Sequence, residues 1–199
     1  MKIGLYFGSF NPVHTGHLII ASFVADHTDV NQVWLVVSPQ NPLKASAGLL
    51  NEYQRLHLVR LAVEGDRRLK ASDAEFRLPK PSYTIDTLTY LEEKYPGHTF
   101  EIILGSDSFQ NLPKWKNAGL LLEKYAFIIY RRPGFEIGED LGGSLKILHA
   151  PMIDLSATFI RSLISSGKSA RYYLPEVVWE EIEAGGYYRD ASKKIQKKS

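Results

Sequence analysis

Hydrophobic positions along the chain follow two alternating rhythms. Short runs of β-branched, aromatic and aliphatic residues recur at 3–7, 33–37, 100–104 and 126–130, with weaker runs at 68–71 and 145–148. Between most of them, at 16–27, 51–64, 84–95 and 118–124, apolar residues return every three or four positions, as at Leu56, Val59, Leu61 and Val63. The first rhythm predicts strands and the second helices. Strands with no polar face, separated by helices, predict a parallel sheet covered on both sides, a doubly wound α/β fold. Such sheets bind ligands beyond the carboxyl ends of their strands, so the loops after the strands are where chemistry is sought. No internal repeat or low-complexity linker interrupts the pattern.

Residues 156–183 read as helices, "SATFIRSLISSGKS" and then "LPEVVWEEIEAGG". Pro175 is expected just inside the start of the second and Gly185 as its cap. The pattern predicts one domain over 1–190, with a small C-terminal helical appendage at about 156–186 packed beside the sheet. The remainder, 191–199, holds four lysines and almost no apolar residue. It is expected to be a frayed basic tail, since nothing amphipathic accompanies the lysines to make a membrane anchor.

Composition narrows the function. A chain of 199 residues with 44% hydrophobic content suffices for one well-buried domain. Its 24 basic and 22 acidic residues leave a net charge of +2, too even for the broad basic surface that grips a nucleic-acid polymer. Any anion it binds is expected to be small and held in a pocket. The absence of cysteine excludes disulfides, thiol nucleophiles and cysteine-zinc sites. No apolar run approaches the roughly 18 residues that span a bilayer, and no signal-peptide pattern opens the chain, so a soluble cytoplasmic protein without membrane partners is expected.

The loop "GSFNPVHTGH" leaves the first strand and enters a helix near Thr15 or Gly16. A strand, a glycine turn and a helix start aim free backbone N–H groups and the positive helix end at an anion. The loop has neither the Gly-Lys-Ser/Thr of a P-loop nor G-x-G-x-x-G, so other groups must meet the phosphate. His14 and His17, three apart across the helix start, can turn to the same ligand. A metal pair is the rival, but no glutamate lies between the histidines and no third ligand is evident, so no metal site is assigned. An ordinary surface turn leaves the strand before and the helix after unexplained.

This loop resembles the G-x-F-x-P-x-H-x-G-H signature of the nucleotidyltransferase superfamily, which includes nicotinate-nucleotide, pantetheine-phosphate and glycerol-phosphate nucleotidylyltransferases. The resemblance implies a Rossmann-like sheet with ATP phosphates over Gly8, Ser9 and Phe10, and with His14 and His17 on them, adding charge. "SATFIR" starts a later helix, with Ser156 as a candidate N-cap, Thr158 as a hydroxyl near its start and Arg161 within reach of a phosphate. Alone it reads as a capped helix with a surface arginine. It resembles the superfamily's I-S-S-T-x-x-R, which implies contacts with adenine and triphosphate. Leu155 replaces Ile and Ala157 the second Ser.

Lys44, in "SPQNPLKASAG", is either a mobile phosphate clamp or a solvated loop lysine. The stretch resembles the P-x-x-x-P-P-H-K of the nicotinate-nucleotide branch, with Asn41 and Leu43 replacing Pro and His.

In "EFRLPKPSYTIDTLTYLEEKYP", Thr84 and Asp86 open an amphipathic helix with Leu88 and Leu91 inward, and Thr84 is expected to cap it, exposing N–H groups to a carboxylate. In "IILGSDSFQNLPKWKNAGLLL", Gly105 allows close backbone approach, Asp107 can accept ribose hydroxyls, and Trp115 is either packing or a platform for a pyridine ring. Both stretches resemble the nicotinate-nucleotide adenylyltransferase branch, through Glu75, Arg77, Pro81 to Thr84, Asp86 to Leu88, G-x-D and L-x-x-W. That resemblance implies nicotinate held by Trp115 and the backbone of Lys116, which stands where an aromatic is common. "YRRPG" also resembles the branch, but Pro133 and Gly134 read as a turn, and Arg131 and Arg132 are left outside the expected site.

The branch implies adenylyl transfer from ATP, with Mg²⁺, to nicotinate mononucleotide, giving deamido-NAD and pyrophosphate. His14, His17, Lys44 and Arg161 would neutralise charge, and the acceptor's own phosphate would be the nucleophile. A preference for NMN, a phosphopantetheine acceptor, and a nucleotide-binding regulator without turnover are the alternatives. The oligomeric state is open.

Overall fold

The apolar runs become six strands: β1 (Lys2–Gly8), β2 (Gln32–Val37), β3 (Leu69–Ser72), β4 (Thr99–Gly105), β5 (Ala126–Tyr130) and β6 (Ser144–Leu148). The computed structural model in which they are seen describes residues 1–40, 48–132, 134–135, 137, 142–151 and 153–189. The strands form one sheet in the order β3-β2-β1-β4-β5-β6, and every neighbouring pair is parallel. From β1 the chain builds outward through β2 and β3, then returns to the other side of β1 and builds outward through β4, β5 and β6. The connections leaving β1 and β4 therefore diverge, which opens a crevice above their carboxyl ends.

Both faces of the central strands β1, β2, β4 and β5 are buried, which explains runs without a polar face. Along β2, Val33, Leu35 and Val37 pack into one core while Trp34 and Val36 pack into the other. The period of two survives only as a choice between two apolar cores.

The first core is covered by α1 (Thr15–His27) and α2 (Glu52–Ala62), which bury Ile20, Val24, Leu56 and Val59. The second is covered by α3 (Thr84–Lys94), the short α4 (Ser106–Phe109) and α5 (Ala118–Lys124), which bury Leu88, Leu91, Phe109 and Leu121. The C-terminal helices α6 (Ala157–Ser165) and α7 (Glu176–Gly185) place Ile160, Ile164, Val178 and Ile182 in the first core, so they share its packing.

Two expected helix ends shift by one residue. Pro175 occupies the N-cap of α7 and lies outside its first turn. Gly186 caps the other end, because its φ of 61° is the left-handed value that reverses the chain there, and Gly185 is the last helical residue. Among the described residues no helix is long and apolar enough to cross a membrane. The tail 191–199 lies outside the described residues.

Candidate active site

The loop after β1 is shaped from below. Phe10 takes a left-handed backbone, φ 45°, and is 2% exposed. Its ring meets Tyr6 edge-on at 5.8 Å and His17 at 5.0 Å between centroids. A Cβ at position 8 would stand 2.9 Å from the Phe10 ring, so Gly8 is required by close approach. Phe10 thus supports the loop from inside, and any contribution to a ligand comes from its backbone.

His14 is the N-cap residue of α1, which begins at Thr15. Its backbone N–H donates to His17 Nδ1 at 3.2 Å, and the two rings stack with centroids 3.6 Å apart. An accepting Nδ1 carries no proton, so a neutral His17 has its proton on Nε2. His14 is 4% exposed, and its Nδ1 has no hydrogen-bond partner. Burial, with the Arg132 guanidinium adding to it, pushes His14 down to about 4. At neutral pH it is uncharged, which corrects the expectation that both histidines add charge to the loop.

Arg161 reaches the same loop from α6. Its Nη1 donates to the Asn11 carbonyl at 2.8 Å and its Nη2 to Thr158 Oγ1 at 3.2 Å. Ser156 caps α6 as expected, with its Oγ accepting from the Phe159 N–H at 3.2 Å. Residues far apart in sequence, His14 and His17 on one side and Thr158 and Arg161 on the other, are thereby drawn together at Asn11. Lys44, with Asn41 and Leu43, lies outside the described residues.

Beneath the loops lies Arg55, a fully buried guanidinium that the sequence alone did not mark as functional. It donates to the carbonyls of Leu50 (2.8 Å), Ser9 (2.6 Å), Ser38 (2.8 Å) and Pro39 (3.0 Å). Three chain segments are clamped by one side chain in a fixed fork geometry. The available signal was a charge on an apolar helix face, since Leu58 and Val59 follow it at three and four residues and are buried.

On the other side of Gly8 and Ser9 opens a cleft of about 800 Å³, which also takes in Thr84, Gly105, Asp107, Trp115 and Lys116. Its floor includes Tyr6 and Tyr130, whose hydroxyls lie 3.2 Å apart. At Gly105 a Cβ would clash with the Asp107 carboxylate and sit 3.1 Å from the Tyr130 ring. Asp107 Oδ1 is 3.5 Å from Arg132 Nε, so Arg132 belongs to the surroundings of the site although its turn read as merely structural.

Thr84 is the first residue of α3 and not its cap. The cap position belongs to Tyr83, whose side chain makes no capping bond. Asp86 is bound by Lys116, whose Nζ lies 2.8 Å from its Oδ2 and 4.9 Å above the Tyr83 ring. The wall behind Thr84 is fixed by Glu75, 2% exposed, which accepts from Ser82 Oγ at 2.5 Å and Thr87 Oγ1 at 3.1 Å. Burial pushes the Glu75 carboxyl above its usual range, opposed by the hydroxyls of Ser82, Ser38 and Thr87. Trp115 stands in the wall just after the 3₁₀ turn Leu112–Lys114, partly packed against the second core.

The arrangement offers two imidazoles, an arginine and a helix start beside a roomy cleft with an aromatic wall and an acid. Such a set can hold a polyphosphate next to a nucleotide-sized ligand. Among the described residues no group of three or more His, Asp or Glu is placed to hold a metal ion.

Residues 5–167 match the Cytidylyltransferase-like family. Over 192 residues the chain is 45% identical to the probable nicotinate-nucleotide adenylyltransferase of Flavobacterium johnsoniae, covering 95% of this chain and 100% of that protein. It is 45% identical over 195 residues to the like-named protein of Cytophaga hutchinsonii, covering 94% and 98%. Its fold is similar to that of the Plasmodium falciparum nicotinic acid mononucleotide adenylyltransferase complexed with NaAD, with a TM-score of 0.80 and 20% identity across 94% of this chain and 97% of that one. With the match spanning most of its length, the chain belongs to the Cytidylyltransferase-like family, alongside these nicotinate-nucleotide adenylyltransferases.

Proposed function

We propose that the protein transfers the adenylyl group of ATP to nicotinate mononucleotide, forming deamido-NAD and pyrophosphate in NAD biosynthesis. The observation that carries this is that Gly8 and Ser9 line the cleft that holds Asp107 and Trp115, in the same loop whose Asn11 carbonyl accepts from Arg161 and whose His14 N–H donates to His17. The relatives that share 45% of its residues over nearly their whole length support the choice of acceptor.

In this reaction a phosphate oxygen of nicotinate mononucleotide attacks the α-phosphorus of ATP. A new P–O bond forms, the bond to the β-phosphate oxygen breaks, and pyrophosphate leaves with the electron pair. The attacking oxygen is already anionic near neutral pH, so the protein has no nucleophile to supply and no strong base to position. Its task is to bring two polyanions together in line and to stabilise charge on the leaving group.

His17 is suited to that through its Nε2–H, and Arg161 through a guanidinium already oriented by Asn11 and Thr158. His14 contributes as a neutral donor, and Lys44 as a cation. Mg²⁺ enters with ATP as part of the substrate, held by phosphate oxygens. In the cleft, Asp107 receives ribose hydroxyls, Trp115 receives the face of the pyridine ring, and Thr84 with the backbone at Lys116 meets the carboxylate.

A purified sample given MgATP with nicotinate mononucleotide, or with NMN, tests the whole assignment by release of pyrophosphate. Donors aimed at a carboxylate meet the NH₂ of an amide poorly, so nicotinate mononucleotide is expected to be preferred by 10²-fold or more. Equal rates would contradict the acceptor site, and no release with either would contradict the enzyme.

A further inference from the structure

Asn11 is a buried polar residue at the middle of the loop after β1, and both ends of its side-chain amide are bonded. Nδ2 donates to the Gly48 carbonyl at 3.0 Å, while Oδ1 accepts from the Leu50 N–H at 3.1 Å and from the Tyr188 hydroxyl at 2.9 Å. A carbonyl can only accept and a backbone N–H only donate, so the amide orientation is fixed and the Tyr188 hydroxyl must be the donor. The backbone carbonyl of Asn11 is occupied too, by Arg161. One residue thus joins four segments: the loop itself, the lead into α2, helix α6 and the C-terminal turn beyond α7.

Tyr188 is the unexpected member. It lies past the Gly186 cap and takes a left-handed backbone, φ 62°, which is costly for a residue with a Cβ. That conformation carries the ring back so that its hydroxyl reaches a residue 177 positions earlier. Burial pushes the phenol above its ordinary value, against the charges of Arg161 and Arg55, so it keeps its proton and remains a donor at physiological pH. The nearby guanidiniums have tasks of their own. Arg55 holds Ser9, three carbonyls fix its fork from other segments, and Arg161 holds Asn11.

We infer that Tyr188 is a positioning residue for the ATP site, acting through Asn11 to hold the loop that carries Gly8, Ser9 and His14 against Arg161. This rests on the reading that the loop binds the ATP phosphates. The residue touches neither substrate in this view. It sets where the carbonyl and amide of Asn11 lie, and therefore where the loop N–H groups and the Arg161 guanidinium point. The acceptor cleft is built by Thr84, Asp107 and Trp115, and neither Asn11 nor Tyr188 lines it.

The test is Tyr188→Phe in the full chain, which removes one oxygen and keeps the ring. Equilibrium binding of MgATP, KM for each substrate and thermal unfolding are measured together. The Kd for MgATP is expected to rise about 3- to 10-fold, the scale of one net hydrogen bond, with KM for nicotinate mononucleotide and Tm nearly unchanged. In an Asn11→Ala background the same substitution should have no further effect on ATP binding. Unchanged ATP binding overturns the inference, and so does an equal rise in both KM values with a lowered Tm, which marks general loosening. A wild-type protein that binds MgATP but makes no deamido-NAD overturns the proposed reaction, while the Kd comparison still decides the role of Tyr188.

Discussion

The backbone N–H of His14 donates to Nδ1 of His17, 3.2 Å away, and this one bond decides what His17 can offer a ligand. It keeps the proton of the neutral ring on Nε2 and fixes the ring against Phe10 and His14. A donor held in place before the substrate arrives needs no reorganisation as charge develops, which is where such groups have their largest effect. His17→Ala is expected to lower kcat by about 10²-fold or more, with little change in Tm, in a pyrophosphate-release assay. Near-normal turnover would remove His17 from the proposed site.

His14 gives a pH dependence of defined sign. Its pKa is lowered from 6.5 to about 4 by burial first and the Arg132 charge second. The unfolded chain therefore takes up a proton at a higher pH than the folded one. Stability contributed by the neutral ring is complete above pH 6.5 and is lost as pH falls towards 4, on the order of 3 kcal/mol in all. Urea unfolding of the wild type and of His14→Gln between pH 7.5 and 4.5 checks this, since the variant should lose less stability across that window. Parallel slopes would show that His14 is not the group responsible.

Arg55 makes the clearest demand on stability. Arg55→Met leaves the carbonyls of Ser9, Ser38, Pro39 and Leu50 without their shared donor. Each buried acceptor left unpaired costs about 1–3 kcal/mol, offset where water enters the gap. A loss of roughly 3 kcal/mol or more in urea unfolding is expected. Arg55→Lys should lie between, because one ammonium cannot reproduce a fork that reaches several segments at once. A stable methionine variant would mean that water satisfies these groups readily.

How much of this was legible in the chain depends on whether the cause is local. Strand runs and helix periods are local, and all six strands and helices α1, α2, α3 and α5 fall where the pattern places them, with ends moved by a residue or two, while the four-residue α4 is too short to show a period. The loop from Gly8 to His17 and the helix start at Ser156 also announce themselves, because turn, cap and helix follow one another directly. The cap of α3 was misjudged by one residue because extended backbone at Tyr83, φ −116° and ψ 141°, decides it, and a threonine next door is the better capper by type. Arg55, Arg132 and Tyr188 were not legible as site components. Their partners are backbone atoms or side chains from distant segments, and a sequence shows which groups can bond without showing which ones converge. The neutrality of His14 was hidden for the same reason, since it follows from burial.

Trp115 separates the two substrates. As part of the cleft wall, beside Lys116 and away from Arg161, it should affect the acceptor and spare ATP. Trp115→Ala is expected to raise KM for nicotinate mononucleotide roughly 5- to 150-fold, matching the ~1–3 kcal/mol of one aromatic stacked on a base. KM for ATP should move by less than about twofold. Equal changes in both would place the tryptophan in the packing of the cleft and not on the pyridine.

Gly8 and Phe10 test whether the loop is shaped from beneath. An alanine methyl at position 8 would lie 2.9–3.1 Å from the Phe10 ring, closer than carbon atoms pack. The ring has nowhere to go, since it is buried edge-on between Tyr6 and His17. The loop must therefore rise, carrying the Ser9 carbonyl away from Arg55. Overpacking of this kind costs about 1–3 kcal/mol, so Gly8→Ala should lower stability by that amount and also weaken ATP binding. Replacing the ring as well, Gly8→Ala with Phe10→Leu, removes the clash and should recover part of the ATP affinity, although the smaller side chain leaves stability below wild type. If the double variant binds ATP no better than Gly8→Ala alone, the glycine is needed for the ligand's own approach to the backbone, and the Phe10 ring is not what dictates it.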